Sequence, residues 1–486
     1  MSKRRLVRVA MLAALAAGML ASRFAHAFCG FFVAGSNARL TNSASQVVLM
    51  RKGNRTVMTL SNNYQGPPEG FAMVVPVPVV LQKQDVKTLS ADIFDHVDEL
   101  SAPRLVEYWE QDPCAPQVRY RAVAESAMEE DAPVGSAGGR PRDLGVKVEA
   151  RFVSGEYEIV ILSATESNGL ETWLRQAHYN IPAGAAAALA PYVRDKSKFF
   201  VARVDIRKVR RGPDGLVQLS PLRFTFDANE LRLPVRLGLL NAGGKQDLIV
   251  YVLHPESRFE VANYANAFIP TNLEVGDGVR AAFPAFYAEL FDATVEKMGR
   301  KVVVTEYAWQ TTSCDPCPVS PLSLDDMSTL GLDVIEGVGA TGKRFMGSQP
   351  SWVLTRLHAR YSAESLSEDL VFREAPAVWG GRANGNGTAA DQGAQVMSRG
   401  GAAGANNFQG RYIIRHYWDG PVTCKDPQYD QWGGPNGNRF GGGSNPTAAK
   451  GIATAPRGKI ALAKELRSPV PLLGIEGKAP ARRKHK

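Results

Sequence analysis

The chain lacks the short motifs that announce familiar chemistries. It has no GxSxG, no HExxH, no GxxxxGK[ST] phosphate loop and no EF-hand loop. Serine hydrolase, zincin, nucleotide hydrolase and calcium-sensor readings therefore have no assembled signature. It has one CxxC and no second. His254, His358 and His416 lie in separate segments without ligand spacing. A zinc site needs four ligands and CDPC supplies two, so no metal and no cofactor is expected. Beyond residue 27 no apolar run approaches the roughly 20 residues of a membrane span, so no span is expected in the remaining chain. No repeat recurs at a fixed period.

A basic body is also missing, although the formal charge is +9. The first 27 residues carry five of the positive charges and no acid, and residues 467–486 carry six against Glu476. The body between them is about −1, which is not the footprint of a nucleic-acid binder. The basic end, ARRKHK, has no apolar periodicity. It reads as a solvated tail, or as a weak electrostatic contact with an anionic envelope surface.

What is present begins with a leader. Lys3, Arg4 and Arg5 precede an apolar core from Val9 to Ala21, and Ala25-His26-Ala27 has the small-x-small form of a cleavage site. Residues 1–27 are expected to be a secretory signal, with an exported mature chain, periplasmic or extracellular, starting near Phe28. Arg4-Arg5 would suit a twin-arginine signal, but the residues after the pair fit it weakly. Phe28 occupies a place where a lipoprotein signal needs a small residue, which argues against lipid on Cys29.

The mature chain of about 460 residues exceeds one ordinary domain. Residues 28–126 read as a β-rich subdomain with helices. QVVLMRKG and RTVMTLSNNY form a hairpin around Gly53-Asn54. GFAMVVPVPVV ends as an edge or leaves the sheet at Pro76 and Pro78. Ile93, Phe94, Val97 and Leu100 recur at helical spacing, and Pro103 is expected to open a second short helix through Leu105 and Trp109. Residues 127–146 are a polar, Gly/Pro-rich flexible loop. Residues 147–379 form a central α+β subdomain. Two strands flank Ser154-Gly155, and helices follow over GLETWLRQAHYN and Ala183 to Val193. KFFVARVDIRKV, PLRFTFDA, LRLPVRLGLL and DLIVYVLHP are expected to make a second sheet. FPAFYAELFDATVEKMG is helical, KVVVTEYAWQ is a strand, and Leu354 to Tyr361 with Leu370 to Glu374 form a closing hairpin. Residues 380–410 are a low-complexity linker, 411–432 a short strand segment, and 433–486 a Gly-rich, basic, disordered tail. The class is α+β, mostly antiparallel sheets with a few packed helices.

Five cysteines remain: Cys29, Cys114, Cys314, Cys317 and Cys424. An oxidising compartment makes bridges the default, and all five are disulfide candidates. Two bridges and one spare thiol allow about 15 arrangements. Cys114 in DPCAP and Cys424 in VTCKDP sit in similar Pro-flanked loops and are natural partners. Cys314 and Cys317 in TTSCDPCP allow three readings. A redox pair would use Cys314 as nucleophile and Cys317 as resolving thiol, but it wants a helix start at the first sulfur. Pro318 and Pro321 oppose that helix, and Asp315 would raise a thiol pKa. Metal lacks partners. A structural clamp, stiffened by Pro316 and Pro318, is the reading the residues favour, so no catalytic residue is assigned.

Other clusters have plain explanations. Asp92, Asp95, His96, Asp98 and Glu99 could hold a cation, and equally form the wet face of a helix. Trp109, Trp309, Tyr307 and Phe283 could line a groove for a glycan or peptide, and equally belong to the core. Arg411, Arg415 and His416 alternate with Tyr412 and Ile414 as a strand with one basic face.

FCGFFVA, FAMVVPVP, LRLPVRLGLLNAGGKQDLIVYVLHP, IPTNLEV and TEYAWQTTSCDPCP together resemble the domain of unknown function 2330 family, over roughly Phe28 to Glu374. The resemblance implies an exported bacterial protein with no established activity, so no catalytic or binding residue is carried over. Members are most alike around the N-terminal cysteine and the CDPCP loop, which is compatible with a disulfide frame. Many end in a membrane-spanning segment. This chain departs from that, ending in a Gly-rich stretch and a basic tail. The expected function is an envelope protein, structural or binding and not catalytic, held by disulfides. The alternative is an exported thiol-disulfide oxidoreductase using the CDPC pair. Its partners are not legible in the sequence.

Overall fold

A computed structural model describes residues 31–33, 44–61, 72–115, 146–177, 184–205, 207–211, 217–241, 245–337, 350–362, 364–380, 395–396, 406–435, 446–452 and 455–478. The expected leader, Cys29, most of the loop at 127–146, much of the 380–410 linker and the ARRKHK end lie outside these residues.

Along the chain the elements used below are β1 (Ala44–Lys52), β2 (Arg55–Leu60), β3 (Ala72–Val77), α1 (Asp92–Ser101) and β4 (Arg104–Glu110). Then come β5 (Val146–Ser154), β6 (Tyr157–Ala164), α2 (Ser167–Gln176), α3 (Ala185–Arg194), β7 (Lys198–Val204), β8 (Leu222–Asp227) and β9 (Gln246–His254). Next are β10 (Leu273–Glu274), α4 (Phe283–Lys297), β11 (Val302–Gln310) and β12 (Val353–Tyr361). Last come β13 (Asn407–Gln409), β14 (Arg411–His416), β15 (Trp432–Gly433) and β16 (Thr447–Ala448). The class is α+β, and most strand pairs are antiparallel.

The largest sheet holds 11 strands, and its centre runs β11, β12, β9, β1, β2, β8. The β1–β2 hairpin turns at Gly53, whose φ of +56° suits a residue without Cβ. Apolar alternation on both faces explains the run VVLM in β1. Val47 and Leu49 pack with Met73, Val75, Ile159 and Phe200 of a second, five-stranded sheet. Val48 and Met50 pack on the other side with Ile93, Phe94, Val97 and Leu100 of α1. The outer face of the five-stranded sheet is covered by α2 and α3 through Leu170, Leu174 and Leu189. The order is helices, sheet, sheet, helix, a layered arrangement that buries each apolar face once.

Several expectations change. β3 is not an edge strand, since residues 31–33 and β7 flank it. Pro76 lies within the ladder opposite Phe199, so the strand carries a proline without ending there. After Pro103 there is no second helix. RLVEYWE is β4, paired in parallel with β14 more than 300 residues on, and this long-range ladder overrides the helical spacing. The four runs expected as a second sheet divide among three sheets. β12 does not hairpin with residues 370–375 but lies between β9 and β11. Strands from both sides of the 127–146 loop share the two large sheets, so that loop divides the sequence and not the core.

The tail is also shorter than its assigned span. Ala449, Ile452, Leu462, Leu466 and Val470 are buried against Phe283, Tyr287 and Phe291 of α4. Gly276 N and Arg467 N donate to Glu465 O and Glu274 O, both at 2.8 Å. These anchors are few and set among Gly, Pro and charged residues, so composition alone suggests disorder.

Candidate functional site

β11 delivers the chain to TTSCDPCP, and the loop is held from beneath. Thr311 N donates to Trp352 O at 2.7 Å, and Trp309 Nε1 to Ser313 Oγ at 3.3 Å. Cys314 and Cys317 are bonded to each other, with Cα atoms 5.1 Å apart, and Asp315-Pro316 is cis. Arg104 Nη1 donates to Pro316 O at 2.7 Å, and Gln409 Nε2 donates to Asp315 O. Cys314 to Pro318 are half-buried. No helix starts at either sulfur. The next helical turn begins at Leu324, capped by Ser323 and Asp326, so no macrodipole acts on Cys314.

Arg104 is fully buried. Its bonds go to the carbonyls of Pro316, Leu100 and Ala102, and its Nε has no hydrogen-bond partner. Burial pulls its guanidinium down to about 10. It lies 5.5 Å over the Tyr307 ring. Arg411, also buried, bonds Asn272 and Tyr108, and it acts on Tyr108 together with Asp315. A cationic floor therefore underlies the CDPC loop, with Asp315 opposing it.

The second bridge joins Cys114 to Cys424, 310 positions apart. It closes the two loops that leave the parallel strands β4 and β14. The two bridges differ sharply in expected effect. The chain-entropy relation gives about 5–6 kcal/mol for the long loop and about 2 kcal/mol for the four-residue one.

A further cluster occupies the face of β9, β11 and β12 that meets α4. Glu306, in β11, accepts from Tyr287 Oη at 2.5 Å, Arg356 Nε at 2.6 Å and His358 Nδ1 at 2.6 Å. His358 Nε2 reaches Asp247 Oδ1 at 3.0 Å, and Phe291 stacks on the imidazole at 3.8 Å. Arg356 also holds Asp98 at 2.6 Å. Arg360 and Arg457 both contact Asp247 and Asp292. Four carboxylates, those of Asp98, Asp247, Asp292 and Glu306, thus meet Arg356, His358, Arg360 and Arg457.

Burial alone would raise Glu306, but the charges of His358 and Arg356 hold it at about 2. Burial would lower His358, but Glu306 and Asp247 raise it. The histidine is an imidazolium with both nitrogens bonded to carboxylates and one ring face covered. As placed it offers no free lone pair to a metal, and its bonds tie β9, β11 and β12 together.

The other candidate residues separate. Tyr307, Trp309 and Phe283 are buried core, while Trp109 is partly exposed and stacks on His416 at 4.6 Å. On α1, Asp98 reaches inward to Arg356 and Tyr251, His96 contacts Ser320 O and Asp326, and Glu99 pairs with Lys450. That helix is less wet than its composition implies. Arg411 and Arg415 do not form an exposed basic face, since Arg415 pairs with Glu274 and both arginines are largely covered. His254, His358 and His416 stand apart, and among the described residues no group of three or more His, Cys, Asp or Glu could hold a metal ion. Among them, too, no helix is long and apolar enough to cross a membrane.

The sequence reading missed the charge cluster and Arg104. The one available signal for the cluster was Arg356, His358 and Arg360 at alternate positions of an otherwise apolar strand, a charged strand face with no wet side.

These features define a disulfide-bridged α+β protein with a neutralised ionic core and a C-terminal segment strapped onto it. The chain belongs to domain of unknown function 2330, described as an uncharacterized protein conserved in bacteria, whose family model matches residues 24–373. Cys424 and Arg457 lie beyond that match, so one half of the long bridge and the last cation of the cluster come from outside the family segment. No curated protein and no solved structure matches the chain.

Proposed function

We propose that this chain is an exported bacterial envelope protein, a structural or binding body fastened by disulfides and performing no turnover. The observation that carries the reading is Cys114–Cys424, a bridge across 310 positions that ties the C-terminal segment to the family segment. Such bridges belong to oxidising compartments. The N-terminal leader supports the same compartment. The charge cluster supports the absence of turnover, because its acid-base groups are spent on one another. The basic end offers a weak electrostatic contact with an anionic envelope surface.

One observation favours a second reading, an oxidoreductase. Arg104 and Arg411 would stabilise a thiolate in the CDPC loop. Once an external thiol donor has reduced the CDPC bridge, itself becoming a disulfide, the Cys314 thiolate would attack a substrate disulfide and expel one substrate thiolate. The Cys317 thiolate would then displace the second, leaving the substrate as a dithiol and the CDPC bridge reformed.

The test is the reduction potential in glutathione buffers together with insulin reduction, for the wild type, Cys314→Ser, Cys317→Ser and Arg104→Met. A structural clamp resists the glutathione pool and turns over nothing. A pair that reduces insulin, and whose bridge becomes harder to reduce by roughly 30 mV or more in Arg104→Met, replaces the first reading by the second.

A further inference from the structure

β4 and β14 run parallel and in register, with Tyr108 beside Arg415 and Trp109 beside His416. Loops at the carboxyl ends of adjacent parallel strands are where open sheets place ligands. Here those two loops are locked to each other by Cys114–Cys424. We propose that this locked end binds a neutral glycan chain, with the Trp109 ring as stacking platform and the Glu107–Arg280 pair as hydroxyl-recognising edge. The inference rests on the binding half of the envelope reading.

The ring is held on one face. Trp109 is partly exposed, and His416 stacks on it with the planes 13° apart. Across the ladder on the other side its neighbour is Gly433, which brings no side chain against it. Glu107 lies two residues back on the same strand face. It takes Arg280 Nε and Nη2 at 2.7 and 2.6 Å, and His416 Nε2 at 2.6 Å.

This polar edge is wet as well as fixed. Arg280 is 49% exposed and His416 30% exposed. A sugar offers an apolar C–H face for the indole and hydroxyls for a pre-oriented fork, and this constellation supplies both. Glu107 offsets the charge of Arg280, so an anionic ligand gains little. A strand-adding peptide is poorly served, because the outer strands of this sheet, β10, β15 and β16, are two residues long.

The experiment uses oxidised protein whose bridges have been verified by mass. Chitohexaose, cellohexaose and maltohexaose are titrated separately by calorimetry and tryptophan fluorescence. At least one binds saturably with a change in emission, and affinity falls at least about tenfold in both Trp109→Ala and Arg280→Ala. Arg280 is half-exposed, so its variant keeps the wild-type melting temperature and decides the matter if Trp109→Ala fails to fold. Absence of binding to all three, or equal binding by Arg280→Ala, overturns the site, as does binding of a proline-rich peptide in place of the glycans. Because the protein tested is folded and bridged, such a failure removes this site alone. Export and bridging are judged separately.

Discussion

Replacing Cys114 by serine lowers the unfolding free energy by about 5 kcal/mol, and replacing Cys314 lowers it by about 2 kcal/mol or less. The difference follows from loop length. Cys114–Cys424 closes 310 positions and Cys314–Cys317 only three. The long bridge also fixes the ends of β4 and β14, and the C-terminal segment packs nearby on α4, so its loss exposes that segment first. Urea unfolding of both variants measures the energies, and limited proteolysis locates the opening. Equal losses in the two variants would mean that loop length does not set what each bridge contributes.

Glu306→Gln has the other large effect, a loss of about 3–5 kcal/mol. It leaves the buried cations Arg356 and His358 without their shared carboxylate, and breaking one side of a buried ion pair costs that much. Arg300→Ala serves as the control, because its partner Glu296 stands in solvent and the pair contributes nothing measurable.

The same cluster sets the pH dependence of stability. His358 is raised above its ordinary 6.5, so its contribution is complete below that pH and is lost as pH rises through the folded value. Glu306 is depressed from 4.5 to about 2, so its contribution is present above 4.5 and is lost as pH falls toward 2. Asp247, also depressed despite its burial, acts in the same direction as Glu306. The melting temperature therefore peaks between about pH 4.5 and 6.5, and Glu306→Gln flattens the acid limb. A wild-type optimum at pH 9 would contradict this ionic assignment.

Local pattern was the legible part. The Gly53 turn, the apolar stripe of α1, the strand into TTSCDPCP and the Pro-flanked cysteine loops could all be read from neighbours in the chain. Partners far apart in sequence could not. RLVEYWE satisfied a helical spacing as well as a strand, and only RYIIRHYW, more than 300 residues on, decides between them. Arg356, His358 and Arg360 look like ordinary strand residues in the sequence, because charge is cheapest in water. Their neutralisation by Asp98, Asp247, Asp292 and Glu306 exists only in three dimensions. Arg457 sits in a segment whose sparse apolar anchors are diluted by Gly, Pro and charge, so composition points to disorder where a strap lies on α4.

The most direct measurement is non-reducing peptide mapping by mass spectrometry on protein recovered from the bacterial envelope. Residues 1–27 should be absent, with linked peptides joining Cys114 to Cys424 and a closed Cys314–Cys317 loop. Recovery of the chain from cytoplasm, with its leader attached and all five thiols free, would contradict it.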